Sequence, residues 1–175
     1  MNKTRFTLLA GMTLVATAAR LIPHPPDFSP IASVALFGGA TFASKRAAFL
    51  VPFAALFLSD VVLGFYANTP VVYGSFALIV CLGFWMRHRR TAGTIAAAAI
   101  ASGLVFFALA NFGVWALEHW YPKTPAGLVQ CYAAAIPYLR NTLLSNLLYS
   151  ALLFGGLAAA ENRFLQLREP AMATA

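Results

Sequence analysis

Long runs of apolar residues, separated by short polar or proline-rich breaks, make up most of the chain. A helix that crosses the hydrocarbon core of a bilayer needs about 20 mostly apolar residues, at a rise of about 1.5 Å per residue. The pattern predicts a separate surface helix over Pro125–Ile136. It also predicts six spans, over Arg5–Leu21, the short Pro30–Ala43, Ala47–Tyr66, Pro70–Met86, Thr91–Leu117 and Pro137–Ala160.

Prolines and basic clusters mark the ends of these spans. Four prolines between residues 23 and 30 exclude a helix there, because proline lacks the backbone N–H and disfavours a helical residue before it. Basic clusters at residues 44–46 and 87–90 separate the second span from the third and the fourth from the fifth. The segment 118–127 contains two prolines and is typical of an exposed loop.

The composition decides the fold class. Hydrophobic residues make up 61% of the 175 residues and charged residues only 10%, against roughly 25% charged in an ordinary soluble domain. A soluble domain of this size could not cover so much apolar surface, and a disordered chain would not contain it. The unbroken apolar runs also differ from the short alternating strands of a transmembrane barrel. We therefore predict an all-α integral membrane bundle of six transmembrane helices.

The basic residues predict the orientation of the bundle. With the N-terminus in the cytoplasm, nine of the 12 Lys and Arg residues lie inside, and only Arg20, Lys123 and Arg140 lie outside, as the positive-inside rule requires. We expect both termini to be cytoplasmic. Residues 1–162 would form the membrane domain and residues 163–175 a cytoplasmic tail. Because orientation explains the charge of +7, the lipid bilayer is the expected partner and nucleic acid is not.

The first apolar run also fits a second interpretation. Residues 1–19 have a basic start, an apolar stretch and small residues at the end, as a signal peptide has. Cleavage there would leave five spans and a cytoplasmic C-terminus. An uncleaved first span is the favoured interpretation, because the apolar run continues to Ile22.

Polar residues inside the spans indicate where a site would lie. Asp60 and Asn111 each lie six residues from the expected outer end of a span, and Asn146 lies six residues after Arg140, near the outer end of the last span. Six residues correspond to about 9 Å of depth at the helical rise, and Tyr73 lies slightly higher. Asp60 is the one acidic residue within a span, so it should face the interior and find a partner. Arg140 is the nearest basic residue by depth. The sequence therefore predicts an Asp60–Arg140 pair, which either lines a pocket or only links two helices.

The predicted ligand-binding residues combine this polar layer with the outer loops, which also contribute Asp27. Arg140 would meet an anionic or carbonyl group of the ligand, and Asp60 would hold Arg140 or accept a hydrogen bond from the ligand. We predict no catalytic residue, no metal site and no cofactor, because the nucleotide-binding, hydrolase, zinc and CxxC motifs are missing from the sequence. The predicted site residues are His24, Asp60, Tyr73, Asn111, Arg140 and Asn146.

Small residues at four-residue spacing occur in several spans, among them Ala35 with Gly39 and Gly155 with Ala159. Such pairs let helix backbones approach closely. We expect them to pack within the bundle, and a dimer face is the alternative.

Five sequence runs carry a family resemblance over about residues 5–162. They are RLIPHPPDFSPIA (residues 20–32), LSDVVLGFY (58–66), NFGVW (111–115), YPKT (121–124) and IPYLRNT (136–142). With them the chain resembles small bacterial inner-membrane proteins described as transport proteins. That family is similar to the substrate-binding S components of energy-coupling-factor (ECF) transporters, most closely to the solitary cobalamin S components.

The resemblance implies a six-helix, multi-pass protein of the bacterial inner membrane that holds a vitamin near the outer face. It places His24, Asp60 and Arg140 at polar positions around the ligand, with a cobalamin-like compound as a candidate substrate. Where some relatives present a cysteine to cobalt, the corresponding residue is Tyr73. The first helix contains no Ala-x-x-x-Ala pattern of the kind used to dock on a shared energising module, so the chain is expected to act with such a module or without one.

The leading functional hypothesis is a transport protein, rather than an enzyme, that binds a small solute in a polar pocket near the outer face. Two alternatives remain open at this point: an intramembrane enzyme that modifies a lipid or cofactor, and a structural membrane subunit with a dry polar layer.

Overall fold

In a computed structural model, which describes residues 2–168, the chain folds into six α-helices and two short 3₁₀ segments. The 3₁₀ segments are Ala19–Leu21 and Leu165–Leu167. Within residues 2–168 there is no strand, and the predicted all-α membrane bundle is confirmed. The helices are α1 (Lys3–Ala18), α2 (Ile31–Thr41), α3 (Lys45–Leu63), α4 (Thr69–Met86), α5 (Ala92–Leu117) and α6 (Pro125–Arg163).

Four of the helices, α3 to α6, are long and apolar enough to cross a membrane. The first two are shorter, with 16 residues in α1 and 11 in α2. The chain is therefore a multi-pass membrane protein. Most of the predicted tail, residues 169–175, lies outside the described residues.

Helix α2 is the centre of the bundle. All of its residues are buried, and it packs against each of the other five helices. At about 1.5 Å per residue it is only about 16 Å long, roughly half of the hydrocarbon thickness. It begins directly after Pro30, where the proline-rich segment ends. Because α2 is so short, it fills only part of the bundle's depth.

Glycine lets α2 approach α4 backbone to backbone. A Cβ atom added to Gly39 would lie 2.1 Å from the carbonyl oxygen of Val80, and one added to Gly83 would lie 2.5 Å from that of Leu36. The expected packing role of Gly39 is therefore confirmed. Gly155 differs, because a Cβ atom there would meet nothing within 4 Å. The expectation that Gly155 packs within the bundle is wrong.

Helix α6 is longer than the sequence predicted. It runs without a break for 39 residues, so the expected separate surface helix over Pro125–Ile136 is wrong. Pro137 lies inside it, where its missing N–H removes one backbone hydrogen bond. The first part of α6 is held against α5, since the Tyr132 hydroxyl donates to the Ala108 carbonyl and the Cys131 thiol to that of Asn111. Packing against α5 thus helps α6 to continue as one helix despite Pro137.

Most of the basic residues gather where α1, α3 and α5 begin and α2, α4 and α6 end, a region called the basic end below. Arg5 is only 1% exposed there and pairs with Glu161 at 2.6 Å. Arg87 donates to the carbonyl oxygen of Phe42 at 2.5 Å. These bonds join α1 to α6, and α4 to the end of α2.

Two glycines of α4 provide a test of the α2–α4 contact. We expect Gly83→Ala to lower the free energy of unfolding by about 1–3 kcal/mol, the usual range for overpacking, because the new methyl group meets backbone. Gly74→Ala is the matched control in the same helix, because a Cβ atom there meets nothing within 4 Å. Thermal unfolding in detergent measures both variants, and equal melting temperatures would contradict the close contact.

Candidate functional site

A buried ion pair joins the end of the first helix to the third and fourth. Arg20, in the 3₁₀ segment after α1, donates from Nη1 to Oδ1 of Asp60 at 2.8 Å and to Oγ of Ser59 at 2.5 Å. The Tyr73 hydroxyl on α4 donates to the other carboxylate oxygen, Oδ2 of Asp60, at 2.9 Å. The carboxylate therefore accepts a hydrogen bond on each oxygen.

Low exposure makes this arrangement necessary. The Arg20 side chain is 10% exposed and that of Asp60 is 5% exposed. A charge without a partner would be costly at such a position, whereas a hydrogen-bonded ion pair recovers much of that cost. The expectation that Asp60 faces the interior and finds a cationic partner is met, and the partner is Arg20.

The predicted Asp60–Arg140 pair is wrong. Arg140 is exposed, whereas Thr142 and Asn146 on the same helix are buried. At about 100° per residue, Arg140 lies about 160° around the helix from Thr142, on the opposite face. Because α6 begins at Pro125, Arg140 is also far from the start of its helix, where the prediction placed it.

Two adjoining cavities lie beside the ion pair. The inner cavity, of about 310 Å³, is lined by Arg20, His24 and Asn146 among others. The outer cavity, of about 270 Å³, is lined by Asn68 and Asn111 among others. The two cavities share four lining residues, which are Asp27, Tyr66, Phe106 and Thr142.

The cavities follow one another along the depth of the bundle. Asn146 donates from Nδ2 to the Ala99 carbonyl at 3.3 Å, whereas the Asn111 carbonyl accepts from the Cys131 thiol at 3.4 Å. Ala99 and Asn111 are twelve residues apart on α5. Twelve residues of helix span roughly 18 Å along the axis. The expectation that Asn111 and Asn146 share one level is therefore wrong, and the polar groups form a column instead.

The proline-rich segment 22–30 contributes to the walls of both cavities. It is tied to α6, because Asn141 donates from Nδ2 to the Pro26 carbonyl at 2.9 Å. His24 lines the inner cavity, as predicted, and its Nδ1 lies 2.9 Å from the Pro25 carbonyl oxygen. Asp27 has a φ of 58°, a left-handed conformation that Asp and Asn adopt more readily than most residues. This backbone conformation sets the direction in which the Cα–Cβ bond of Asp27 leaves the chain.

Asp27 is the acidic residue that lines both cavities. Burial raises the pKa of its carboxyl group above the ordinary value of 3.8. Within residues 2–168, no ion pair or side-chain hydrogen bond engages this carboxylate. The sequence indicated Asp27 only as a residue of an outer loop, because nothing local distinguishes a carboxylate on a cavity wall from one in solvent.

Asn68 is a second residue that the sequence did not single out. It is 3% exposed, and its Nδ2 donates to the Ala110 carbonyl at 2.9 Å. Its Oδ1 has no hydrogen-bond partner among residues 2–168. Gly113 makes room for that oxygen, because a Cβ atom there would lie within 1.8 Å of it. In the sequence, Asn68 lies in a short polar segment directly before Pro70, a pattern typical of a turn.

Of the six predicted site residues, three line the cavities: His24, Asn111 and Asn146. Asp60 and Tyr73 lie behind Arg20 as its hydrogen-bonded support. Arg140 lines neither cavity. Over the described part of the chain, no group of three or more His, Cys, Asp or Glu residues is arranged to hold a metal ion.

Comparison with known protein families gives a match over nearly the whole chain. A family model covers residues 1–171. The chain belongs to the family of unknown function DUF6580. No curated protein and no solved structure matches it. For this DUF6580 chain, the resemblance to S components stays a prediction from its sequence runs.

Double-mutant cycles test which arginine holds Asp60. We expect Asp60→Asn and Arg20→Gln to be coupled by about 0.5–3 kcal/mol in the free energy of unfolding, as residues in one network are. The matched cycle of Asp60→Asn with Arg140→Gln should be additive, because Arg140 lies on an exposed face. Unfolding in detergent gives all the values, and coupling in the second cycle alone would contradict the pairing.

The pKa of Asp27 predicts a pH dependence of stability. Because the pKa is raised in the folded state, ionisation of Asp27 disfavours folding. The wild type should therefore lose stability relative to Asp27→Asn as the pH rises from below 3.8 through the raised value. Melting temperatures of both proteins between acidic and neutral pH measure this difference. If the wild type instead lost stability relative to Asp27→Asn as the pH falls, the prediction would be contradicted.

Proposed function

We propose that this chain is a transport protein of the bacterial inner membrane that binds a small polar solute in the inner and outer cavities. The observation that carries the proposal is the pair of adjoining cavities, lined by polar side chains from five segments of the chain. Binding sites for small molecules are usually concave and mostly apolar, with a few converging polar groups, and these cavities fit that description.

The cavity volumes favour a small ligand. The inner cavity measures about 310 Å³ and the outer cavity about 270 Å³. Both values are close to about 300 Å³, the lower end of the usual range for ligand pockets. A cobalamin carries a corrin macrocycle and a nucleotide loop and is far larger than a drug-sized molecule. The dimensions therefore support a compact solute over the cobalamin-like compound that the resemblance implies.

Charge supports an orientation for the protein. Nine of the 12 Lys and Arg residues belong to the basic end, and cytoplasmic loops of membrane proteins carry such an excess. We place the basic end, with both termini, in the cytoplasm. The cavities lie towards the other end of the helices, and so they would receive a solute from outside.

The packing below the inner cavity favours a binding protein over a channel. Phe37 and Phe154 are in edge-to-face contact there, with centroids 5.2 Å apart, and Val80 is fully buried. A channel would need polar groups or an opening through this layer. Passage of a solute therefore requires the helices to move, driven by an energising module or by the chain alone.

The same geometry weighs against the two alternatives. In the enzyme alternative, Asp60 and Tyr73 would exchange protons with a substrate, but the Tyr73 hydroxyl donates to Asp60 and both oxygens of that carboxylate already accept hydrogen bonds. A structural subunit would have a dry, fully paired polar layer, whereas Asp27 and Oδ1 of Asn68 have no partner within the described residues. Cavities with unpaired polar groups are typical of a site that receives a ligand.

Native mass spectrometry of the protein, released from its own membranes in mild detergent, tests the proposal. We expect a small molecule to be retained by the wild type and lost from Thr142→Phe, because Thr142 lines both cavities. Ala151→Phe is the control, since Ala151 lines a separate cleft of about 710 Å³ between α5 and α6. The Ala151→Phe variant should still retain the small molecule.

The filled variants must be shown to fold. Circular dichroism and thermal unfolding check Thr142→Phe, and Ala32→Leu provides a second filling of the inner cavity. A bound molecule that persists in both folded variants, or wild-type protein that releases no small molecule and binds none, would refute the proposed site.

A further inference from the structure

We propose that the solute is a small organic cation, of the ammonium or amidinium class, held against the Asp27 carboxylate between Tyr66 and Phe106. This inference rests on the proposed function, because it names the chemical class of solute for the same cavities. Its starting point is the balance of charge on the cavity walls.

Four titratable side chains line the two cavities: Arg20, His24, Asp27 and Tyr66. The charge of Arg20 is balanced by Asp60 at 2.8 Å, so the pair presents almost no net charge to the cavity. The formal charge at pH 7 counts histidine as neutral. Tyr66 is also neutral, and burial and the nearby Asp60 raise the pKa of its hydroxyl further. Asp27 therefore supplies the unbalanced charge of the site, and that charge is negative.

The Asp27 carboxylate is placed where a ligand in either cavity would meet it. The residue lines both cavities, and its left-handed backbone conformation is fixed within the proline-rich segment. Asp27 is exposed, but its surroundings still remove part of the water around the carboxyl group and raise its pKa. A cation beside it would replace the missing solvation and form a charge-assisted hydrogen bond.

Aromatic side chains stand beside the carboxylate. Tyr66 and Phe106 line both cavities together with Asp27. The face of an aromatic ring attracts cations, with about 0.5–2 kcal/mol gained per contact, and aromatic walls are a common way to bind organic ammonium groups. An anionic solute would gain nothing from these rings and would be repelled by Asp27.

The unpaired polar atoms fit the same ligand class. Asn68, on the wall of the outer cavity, keeps Oδ1 without a partner, and Ser29, on the wall of the inner cavity, keeps Oγ without one within residues 2–168. Both oxygens accept hydrogen bonds from N–H groups. The expectation that Arg140 meets an anionic group of the ligand is thus replaced by a site of the opposite sign.

Matched probes test the sign of the charge directly. Benzamidine, benzamide and benzoate share one ring and carry a positive, zero and negative charge, and choline has 3,3-dimethyl-1-butanol as its neutral counterpart. Titration calorimetry and thermal shift of the purified full chain in detergent measure binding of each. We expect each cation to bind roughly tenfold or more tightly than its neutral counterpart, and benzamidine to bind roughly tenfold or more tightly than benzoate.

Two carboxylates provide the variant and its control. Asp27→Asn removes the charge but keeps the size and the tolerance of a positive φ, so the preference for cations should disappear while the fold remains. Glu118→Gln removes the same charge from a residue that lines neither cavity, and there the preference should remain. Thr142→Phe should abolish binding of all probes.

The outcomes separate this inference from the proposed function. Equal binding of the three benzene derivatives, a preference for benzoate, or a preference for cations that survives in Asp27→Asn would overturn the cation assignment. Binding that Thr142→Phe abolishes would still support a solute site in those cases. If no probe binds and the retained molecule is neutral or anionic, the cation assignment fails alone. If no molecule of any class is retained or bound, the proposed function fails.

Discussion

The ion pair between Arg20 and Asp60 is the constraint on which the candidate site depends. In a bundle surrounded by hydrocarbon, burying either side chain alone would be costly. Arg20 and the Tyr73 hydroxyl each donate a hydrogen bond to one oxygen of the Asp60 carboxylate. The pair connects the end of α1 to α3 and, through Tyr73, to α4. It also cancels a positive charge on the wall of the inner cavity, and so it leaves Asp27 to set the sign of the site.

The second constraint is the length of α2. Because this central helix is only 11 residues long, the space above its first residues is filled by the proline-rich segment and not by another helix turn. That segment forms a turn, in which the Phe28 N–H donates to the Pro25 carbonyl at 3.1 Å, but no helix. Its course leaves the two cavities between itself, α5 and α6. Below the cavities, α2 is packed on all sides, with glycine allowing backbone contact to α4. A site that is open towards one end and closed towards the other follows from these two facts.

The polar column suits recognition more than chemistry. The Asp60 carboxylate inside α3 is already engaged by Arg20 and Tyr73. Among residues 2–168, the groups without a partner are the Asp27 carboxylate, the Asn68 amide oxygen and the Ser29 hydroxyl, and aromatic rings line the same cavities. Such groups hold a cation by charge, by acceptor oxygens and by ring faces, without a metal or a nucleophile. The large cleft between α5 and α6 at the basic end has mostly apolar walls of small residues, and it offers no comparable set.

The sequence by itself determined the class of the protein and most helix positions, because hydropathy is a local property. The predicted spans over Pro70–Met86 and Thr91–Leu117 agree with α4 and α5 to within one residue at each end. The need of Asp60 for an inward orientation and a partner also followed from the sequence, since the cost of a charge in hydrocarbon does not depend on the fold.

Only the tertiary structure decided which partner Asp60 has and which residues meet at the cavities. The sequence pointed to Arg140 by depth, whereas the structure pairs Asp60 with Arg20. The difference depended on how α6 is rotated and on where it begins. Pro137 suggested a helix start that packing against α5 overrode. Asp27 and Asn68 became wall residues only because the loops fold back over the bundle. Contacts between distant segments depend on helix rotation and loop course, and neither of these is encoded in the local pattern of apolar and polar residues.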